Sequence, residues 1–190
     1  ALKRLPGDPA RRNLRLHRLY GRALRGIERA AFLRVMPDVW RELYPEIAPC
    51  LRRLAGRRPL GVISLGLDCL LDGLAAALAA DGEPVPFLFL AGNRTVWLDS
   101  RFAGLAAPVR HGPRDKAAVF RAEAARHGVH APLVIGHNAD ETELCAIADA
   151  AGGLSVGIGA HPAHEDQFHV LLPRGAWGML DGFLGAYDTE

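Results

Sequence analysis

The apolar residues in the first third of the chain recur at helical spacing. Those between Leu14 and Phe32 fall on one helical face, with arginines between them, and predict a long helix over residues 10–35. Met36–Asp38 should break this helix, because proline disrupts a helix interior and Asp38 caps a second helix running towards Tyr44-Pro45. A third helix is predicted over residues 46–55, with glycine following it.

From Pro59 onward, short apolar runs alternate with helical patterns. Strands are predicted at Leu60–Ser64, Val85–Leu90, Leu133–Ile135, Leu154–Ile158 and Phe168–Leu172. Between them lie a predicted helix from Leu67 to Asp81-Gly82, a hairpin at 93–102, a helix at 116–127 capped by Asp115, and helices at 141–151 and 175–186. This alternation predicts a parallel sheet covered by helices on both faces. It divides the chain into a helical segment, residues 1–58, and an α/β core, residues 59–190.

The charge of the chain is divided in the same way. Residues 1–58 hold 15 Lys/Arg and 5 Asp/Glu, a balance of +10, whereas residues 59–190 hold 8 and 16, a balance of −8. The split indicates either a basic surface for an anionic partner or a basic cap docked on an acidic core. Because leucines line one face of the first helix, we favour the docked cap. Without interleaved aromatic residues or a recognition motif, the pattern does not favour nucleic-acid binding.

The composition also bears on the compartment. No apolar stretch reaches the roughly 18–20 residues that span a bilayer, and the first residues lack the apolar centre of a secretion signal. The three cysteines, Cys50, Cys69 and Cys145, are odd in number and lie in apolar, helix-like contexts without metal-binding spacing. Buried thiols in a reducing compartment are therefore favoured, which predicts a cytoplasmic protein without membrane contact.

Polar residues that suit phosphate chemistry follow the predicted strands. Ser64 ends the first strand, Asn93 follows the second, and residues 136–141 follow the third, while Lys116 opens a helix. In an open α/β sheet, ligands bind beyond the carboxyl ends of the strands. Each residue also has a structural interpretation. Ser64 suits a helix N-cap, Gly66 and Asn93 suit turns, and a lysine in a first helical turn is often solvated.

In this order and spacing, these residues resemble motifs two, three and four of the haloacid dehalogenase (HAD) superfamily, in its phosphoserine-phosphatase-like branch. The resemblance implies a HAD-like Rossmannoid parallel sheet flanked by helices, with residues 1–58 as a cap-like segment. Ser64, in Ser-Leu-Gly-Leu-Asp, and the backbone near Gly66 would hold phosphate oxygens. Lys116 would be the catalytic lysine that offsets charge on the phosphoryl group, and Asn93 would contribute to phosphate binding.

The fourth motif departs from the family pattern. The family's Gly-Asp-x-x-x-Asp supplies carboxylates for Mg²⁺, whereas alignment on Gly136 places His137 and Glu141 in those positions. Magnesium requires hard oxygen ligands, and imidazole favours zinc, iron, manganese or nickel. Asp140 is adjacent and can substitute if the loop shifts. Three alternatives follow, which are no intrinsic metal, weakly bound Mg²⁺, or a different divalent metal.

The first motif of the family is missing from these residues. It consists of a strand ending in Asp-x-Asp, whose first Asp is the nucleophile, and no apolar run here is followed by that sequence. We therefore expect a phosphatase-like protein that is catalytically impaired but keeps a pocket for a small phosphorylated molecule or anion. The alternatives are an active phosphomonoester hydrolase whose nucleophile strand lies upstream, and an interaction scaffold that uses the basic helices.

The missing strand has a structural consequence. In the family it lies between the strands that carry motifs two and four, which correspond to Leu60–Ser64 and Leu133–Ile135. A central slot cannot stay empty in a buried sheet, because backbone donors and acceptors would be unpaired. The two strands must pair directly or admit a strand from elsewhere, such as a partner protein, a second copy or an upstream segment. Phe32–Met36 and Val96–Leu98 are weak candidates within the chain.

Overall fold

The computed structural model of the protein describes residues 9–43, 46–80 and 82–187. The helices in these ranges are α1 (Pro9–Ala23), α2 (Arg29–Leu43), α3 (Ile47–Ala55), α4 (Asp68–Ala80), α5 (Pro113–His127), α6 (Thr142–Ala150) and α7 (Trp177–Tyr187). The strands are β1 (Leu60–Leu67), β2 (Phe87–Asn93), β3 (Thr95–Leu98), β4 (Arg101–Leu105), β5 (Leu133–Gly136), β6 (Leu154–Ile158) and β7 (Val170–Leu172). Short 3-10 helices cover Ala139–Glu141 and Pro162–Gln167.

The strands form two parallel sheets and one hairpin. Strand β1 pairs in parallel with β2, and β5, β6 and β7 form a second parallel sheet in that order. The predicted hairpin is present as the antiparallel pair β3–β4. Helices pack against these sheets through apolar clusters, one of which joins α3 and α7 to β6. The α/β fold with helix-flanked parallel strands is therefore confirmed.

Strands β1 and β5 each pair on one side only. Ile63 is in register with Ala91 of β2, and Val134 is in register with Ser155 of β6. Direct pairing of β1 with β5 does not occur, and within the described ranges no strand lies between them. Of the two weak candidates, Phe32–Met36 lies within α2 and Val96–Leu98 within the hairpin. We call this unpaired interval, bounded by the free edges of β1 and β5, the central gap.

The prediction of one long helix over residues 10–35 is wrong. The helix ends at Ala23, and Gly26 adopts a left-handed conformation with a φ of +81°. The connecting segment then pairs with the hairpin, because the Phe102 amide donates to the Ile27 carbonyl at 2.9 Å. The predicted break at Met36–Asp38 is also wrong, since Pro37 lies inside α2. The predicted end of this helix at Tyr44-Pro45 falls outside the described residues.

Packing explains why α2 continues through its proline. The Trp40 indole donates to the Leu70 carbonyl of α4 at 3.0 Å. Met36 lies so close to Gly73 of α4 that a Cβ there would come within 2.4 Å of the methionine side chain. These contacts hold the second half of α2 against the core. No helix in the described ranges is both long and apolar enough to cross a bilayer.

The start of α5 also differs from the prediction. Gly112 is its N-cap, and Asp115 lies inside the first turn, where its carboxylate accepts from the amides of His111 at 2.7 Å and Gly112 at 3.0 Å. An acidic side chain at this position reaches back to the amide of the N-cap residue, whereas an N-cap side chain would accept from amides inside the first turn. The helix ends as predicted at Gly128, in a left-handed conformation.

The three cysteines are buried free thiols, as predicted. Burial is the main reason that the pKa of Cys69 rises to about 11. The pKa of Cys145 also rises to about 11, again mainly through burial. Thiols with raised pKa are poor nucleophiles and poor metal ligands. Cys69 and Cys145 are therefore packing residues.

Candidate functional site

Ser64 lies in the last part of β1, near the carboxyl end of the strand. Its Oγ accepts a hydrogen bond from the Gly66 amide at 2.9 Å. Because α4 begins only at Asp68, Ser64 is not the N-cap of that helix. A Cβ at Gly66 would lie 3.1 Å from Ser64 Oγ, so the glycine leaves the hydroxyl uncrowded. The Ser64–Gly66 turn thus presents a hydroxyl at the edge of the central gap.

Lys116 of α5 and Glu141, which follows β5, form an ion pair. Lys116 is 8% exposed and Glu141 is 5% exposed, and the ammonium donates to Glu141 Oε1. The second oxygen, Oε2, accepts from the amides of His137 at 3.2 Å and Asn138 at 3.0 Å. Burial alone would raise the pKa of Glu141, but the attraction of Lys116 and these hydrogen bonds outweigh burial and lower it. Lys116 is therefore a buried, paired cation and not a solvated lysine.

The close approach of Glu141 to its own loop depends on Gly136. A Cβ at Gly136 would lie 2.3 Å from Glu141 Cγ, a distance that forces displacement. The Glu141 side chain cannot move away easily, because both of its carboxylate oxygens are hydrogen-bonded. Gly136→Ala is expected to cost about 1–3 kcal/mol of unfolding free energy, as overpacking does. In urea unfolding, Gly182→Ala in α7 is the control, since nothing lies near its added Cβ. Equal midpoints for the two variants would contradict the packing argument.

The three candidate metal ligands do not converge. Asp140 lies 3.6 Å from the Arg12 guanidinium and accepts from Asn13 Nδ2 at 3.4 Å. Glu141 is committed to Lys116 and the loop amides, while the side chain of His137 is exposed beside that of Asn138. Within the described ranges, no group of three His, Cys, Asp or Glu side chains is arranged to hold a metal. The residues present do not fit a Mg²⁺ site.

The side chain of Asn93, at the end of β2, is fully hydrogen-bonded. It is 2% exposed, and its Nδ2 donates to the carbonyls of Leu65 at 2.8 Å and Arg110 at 3.0 Å. Its Oδ1 accepts from the Arg110 amide at 2.7 Å. These bonds join the Ser64–Gly66 turn to the segment before α5. Asn93 therefore shapes the site by holding two loops together.

The structure adds a group of residues that sequence analysis did not single out. Arg12, Asn13 and His17, here called the α1 polar face, point at the carboxyl end of the central gap. Asn13 Nδ2 donates to the His111 carbonyl at 2.9 Å as well as to Asp140. His17 Nε2 lies 2.6 Å from the Leu65 carbonyl. In the sequence, Asn13 and His17 are one helical turn apart and therefore share a face of the helix. Polar residues at that spacing usually face solvent, so the spacing alone did not predict a buried contact.

A cavity of about 240 Å³ adjoins the α1 polar face. Its wall is mostly apolar. The lining residues are Leu14, His17, Arg18, Gly21, Leu105, Val109 and His111. Such a mixture of apolar walls and a few polar groups is typical of small-molecule pockets.

Helix α1 also begins at this edge. The Cβ of Ala10 lies close to Gly112, where an added Cβ would be 3.5 Å away, and Gly112 is the N-cap of the helix that carries Lys116. Helix α1 thus contacts Leu65 beside Ser64, Gly112 before Lys116, and Asp140 beside Glu141. The hydroxyl of Ser64 and the buried cation of Lys116 are groups that suit an oxyanion.

Comparison with known proteins identifies the fold. A HAD family hydrolase from Salmonella enterica subsp. enterica serovar Typhi superposes with a TM-score of 0.61 at 16% identity, covering 86% of this chain and 50% of the hydrolase. Phosphoserine phosphatase in apo form gives a TM-score of 0.64 at 12% identity, covering 90% and 82%. Cytosolic 5′-nucleotidase IIIB bound to cytidine gives 0.62 at 14% identity, covering 90% and 63%. The chain has the HAD-like fold.

At these sequence identities the structural similarity establishes the fold only. The activity has to be argued from the site residues. No protein-family model matches the chain, and no curated protein sequence matches it. The chain spans 50% of the Salmonella hydrolase and 60% of a substrate-bound phosphoserine phosphatase. The HAD-like fold inferred from Ser64, Lys116 and the Gly136–Glu141 loop is confirmed.

Proposed function

We propose that this chain is the phosphate-binding part of a HAD-type phosphohydrolase and is inactive without a further strand. It binds a phosphate ester of a small molecule at the carboxyl end of the central gap, between Ser64 and Lys116. Hydrolysis requires a strand in the gap that brings a nucleophilic carboxylate to this point. In this proposal the strand comes from polypeptide preceding Ala1.

The central gap is the observation that carries the proposal. Its two edges belong to the strands that carry Ser64 and the Gly136–Glu141 loop, and both strands run in the same direction as their neighbours. A parallel strand in the gap would pair with both edges and end at Lys116. Unpaired edges in the middle of a sheet are costly, so a sequence that retains both is suited to receive a strand.

The direction of α1 supports an upstream source for that strand. A strand parallel to β1 and β5 leaves the gap at their carboxyl ends, where α1 begins beside Gly112 and Asp140. Polypeptide that continues from such a strand can therefore enter α1 without crossing the sheet.

Phosphate binding by the chain itself requires Lys116 to exchange partners. The ammonium is held by Glu141, so an anion must compete with that carboxylate or bind beside the pair. Ser64 can donate its hydroxyl hydrogen while still accepting from Gly66. Binding to the chain alone is accordingly expected to be weak, in the millimolar range.

Phosphate titration by calorimetry tests this binding site. Lys116→Met is expected to weaken phosphate binding by about tenfold or more, because it removes a charge-assisted hydrogen bond of about 1.5–3 kcal/mol. Ser64→Ala is expected to weaken it by about fivefold, as for a neutral hydrogen bond of about 1 kcal/mol. Arg121→Met removes a charge from the exposed face of the same helix and is the control. Phosphate affinity that neither site variant changes would overturn the assignment.

A further inference from the structure

Two histidines meet at the interface between α1 and the core. His17 is 6% exposed, and its Nδ1 lies 3.0 Å from Nδ1 of His111. Its other nitrogen, Nε2, lies 2.6 Å from the Leu65 carbonyl oxygen. His17 therefore contacts the loop that carries Ser64 and the loop that precedes α5 at the same time.

The carbonyl determines the tautomers of both rings. A carbonyl oxygen only accepts, so His17 carries its hydrogen on Nε2 and donates to Leu65. In the neutral ring Nδ1 is then an acceptor, and His111 must donate to it through its own Nδ1–H. The side-chain amide of Asn93 lies 3.3 Å from His17 Nε2, but both are donors there, and Asn93 Nδ2 instead donates to the carbonyls of Leu65 and Arg110.

These bonds place His17 between the two halves of the proposed phosphate site. Leu65 follows Ser64 directly, and His111 precedes Gly112, the N-cap of the helix that carries Lys116. On the same helix, Asn13 binds the His111 carbonyl and Asp140, so α1 reaches the fourth-motif loop as well. The α1 polar face thus spans the carboxyl end of the gap from β1 to β5.

We propose that His17 is a positioning residue: in its neutral form it docks α1 onto the Leu65 carbonyl and the His111 ring, and thereby positions Ser64 relative to Lys116. The docking stands on the observed contacts alone. Its consequence for ligand binding rests on the function proposed above. His17 itself is covered by its partners and does not touch the phosphate.

Acid should release this contact. Burial lowers the pKa of His17, an effect that the Leu65 carbonyl opposes and His111 reinforces. One added proton can be accommodated if His111 changes tautomer, but it leaves a charge in a buried position. A second proton places two N–H donors face to face. Because the docked form binds protons less readily, docking is complete above the ordinary histidine pKa of 6.5 and weakens as the pH falls below it.

The charges around His17 also disfavour its protonated form. Arg18 lines the adjoining cavity, Arg12 directly precedes Asn13, and the Arg110 guanidinium donates to the Gly92 carbonyl at 3.0 Å. The neighbouring carboxylates are engaged elsewhere, since Asp115 accepts from the His111 and Gly112 amides and Asp140 faces Arg12 and Asn13. The Tyr20 ring lies 6.5 Å from the His17 ring. Among the described contacts of His17, none is with a carboxylate that would stabilise its cation.

Hydrogen exchange of α1 and imidazole NMR test the proposal on the whole chain. At pH 7.5, nitrogen-15 spectra should show His17 protonated on Nε2 and His111 on Nδ1. Below about pH 6.5, the exchange protection of residues 9–23, corrected for intrinsic rates, should fall by up to tenfold per pH unit, as expected for one linked proton. His17→Gln keeps an N–H donor for Leu65 and should remove this pH dependence.

Matched variants separate positioning from general stability. His130→Gln alters an exposed histidine and should leave the α1 profile unchanged. His17→Ala should lower α1 protection at every pH, and should weaken phosphate binding at pH 7.5 more than His17→Gln does. If His17→Ala does not fold, the tautomers of the native protein and the flat profile of His17→Gln decide the question.

The outcomes distinguish this proposal from the one on function. A pH profile of α1 protection that is the same in the native chain and in His17→Gln overturns the role of His17, whatever the phosphate affinity. If phosphate affinity is the same in every variant and the α1 profile is as predicted, the proposed phosphate site is overturned and the docking role remains.

Discussion

A chain extended at its N-terminus by an apolar strand ending in Asp-x-Asp is expected to gain phosphatase activity that the chain alone lacks. The chain alone offers a cation at Lys116 and a hydroxyl at Ser64, but none of its described strands brings a carboxylate to them as a nucleophile. In the resemblance on which the extension is based, the first Asp attacks phosphorus and the second protonates the leaving group. General acid catalysis of this kind contributes about 10²–10⁴-fold to the rate.

The experiment compares three proteins in hydrolysis of p-nitrophenyl phosphate, with Mg²⁺ in the buffer. These are the chain alone, the chain with a strand of about six apolar residues ending in Asp-x-Asp, and the same extension ending in Asn-x-Asn. The chain alone and the Asn form should stay at background. The Asp form should exceed the Asn form by at least about a hundredfold, and Ser64→Ala and Lys116→Met should reduce that gain.

Thermal unfolding of the same proteins separates folding from chemistry. Both extensions should raise Tm, because either strand pairs the free edges of β1 and β5. Each kcal/mol gained corresponds to about 2–4 °C for a domain of this size. An unchanged Tm in both extended forms would contradict strand insertion in the gap. Turnover by the chain alone that disappears with Lys116→Met would contradict the claim that it is inactive.

The parallel core was predictable because its strands are short, mostly apolar runs. Leu154–Ile158 is a strand with the predicted bounds, and Leu133–Ile135 extends by one residue. Runs of this kind are buried on both faces, so their local composition carries the tertiary information. Ser64 and Glu141 were grouped as candidate site residues because parallel strands bring their carboxyl ends to one edge.

The helical segment was less predictable because long-range contacts decide its breaks. Gly26 ends the first helix where the chain meets the β4 hairpin, and the Arg101 guanidinium also bonds Glu28 at 2.7 Å. Pro37, the stronger local signal, is accommodated inside α2. In the same way, His17 and Asn13 look like solvated positions on a basic helix, and only their contacts with residues about 50 to 130 positions away show otherwise.

Breaking the ion pair between Lys116 and Glu141 is expected to destabilise the protein more than the other single substitutions considered. Glu141→Gln leaves the buried ammonium facing an amide group, and removal of one partner of a buried pair costs about 3–5 kcal/mol. The amide oxygen of the new side chain can still accept from the His137 and Asn138 amides, so the loss reports mainly on the charge. Lys116→Met combined with Glu141→Gln should recover most of the stability, because it leaves no charge unpaired.

The pH dependence of stability provides an independent measure of the pair. The pKa of Glu141 is lowered in the folded protein, so its contribution is present above its ordinary value of 4.5 and is lost as the pH falls through the folded value. Urea unfolding between pH 7 and pH 3 should therefore show an acid-dependent loss that is smaller in the double variant. Glu143→Gln is the control, since its carboxylate lies 3.9 Å from an Arg114 side chain that is 94% exposed, and such pairs contribute about 0–1 kcal/mol. If Glu141→Gln unfolds at the same urea concentration as Glu143→Gln, the buried pair contributes no more to stability than a surface one, and an anion can displace Glu141 from Lys116 at little cost in free energy.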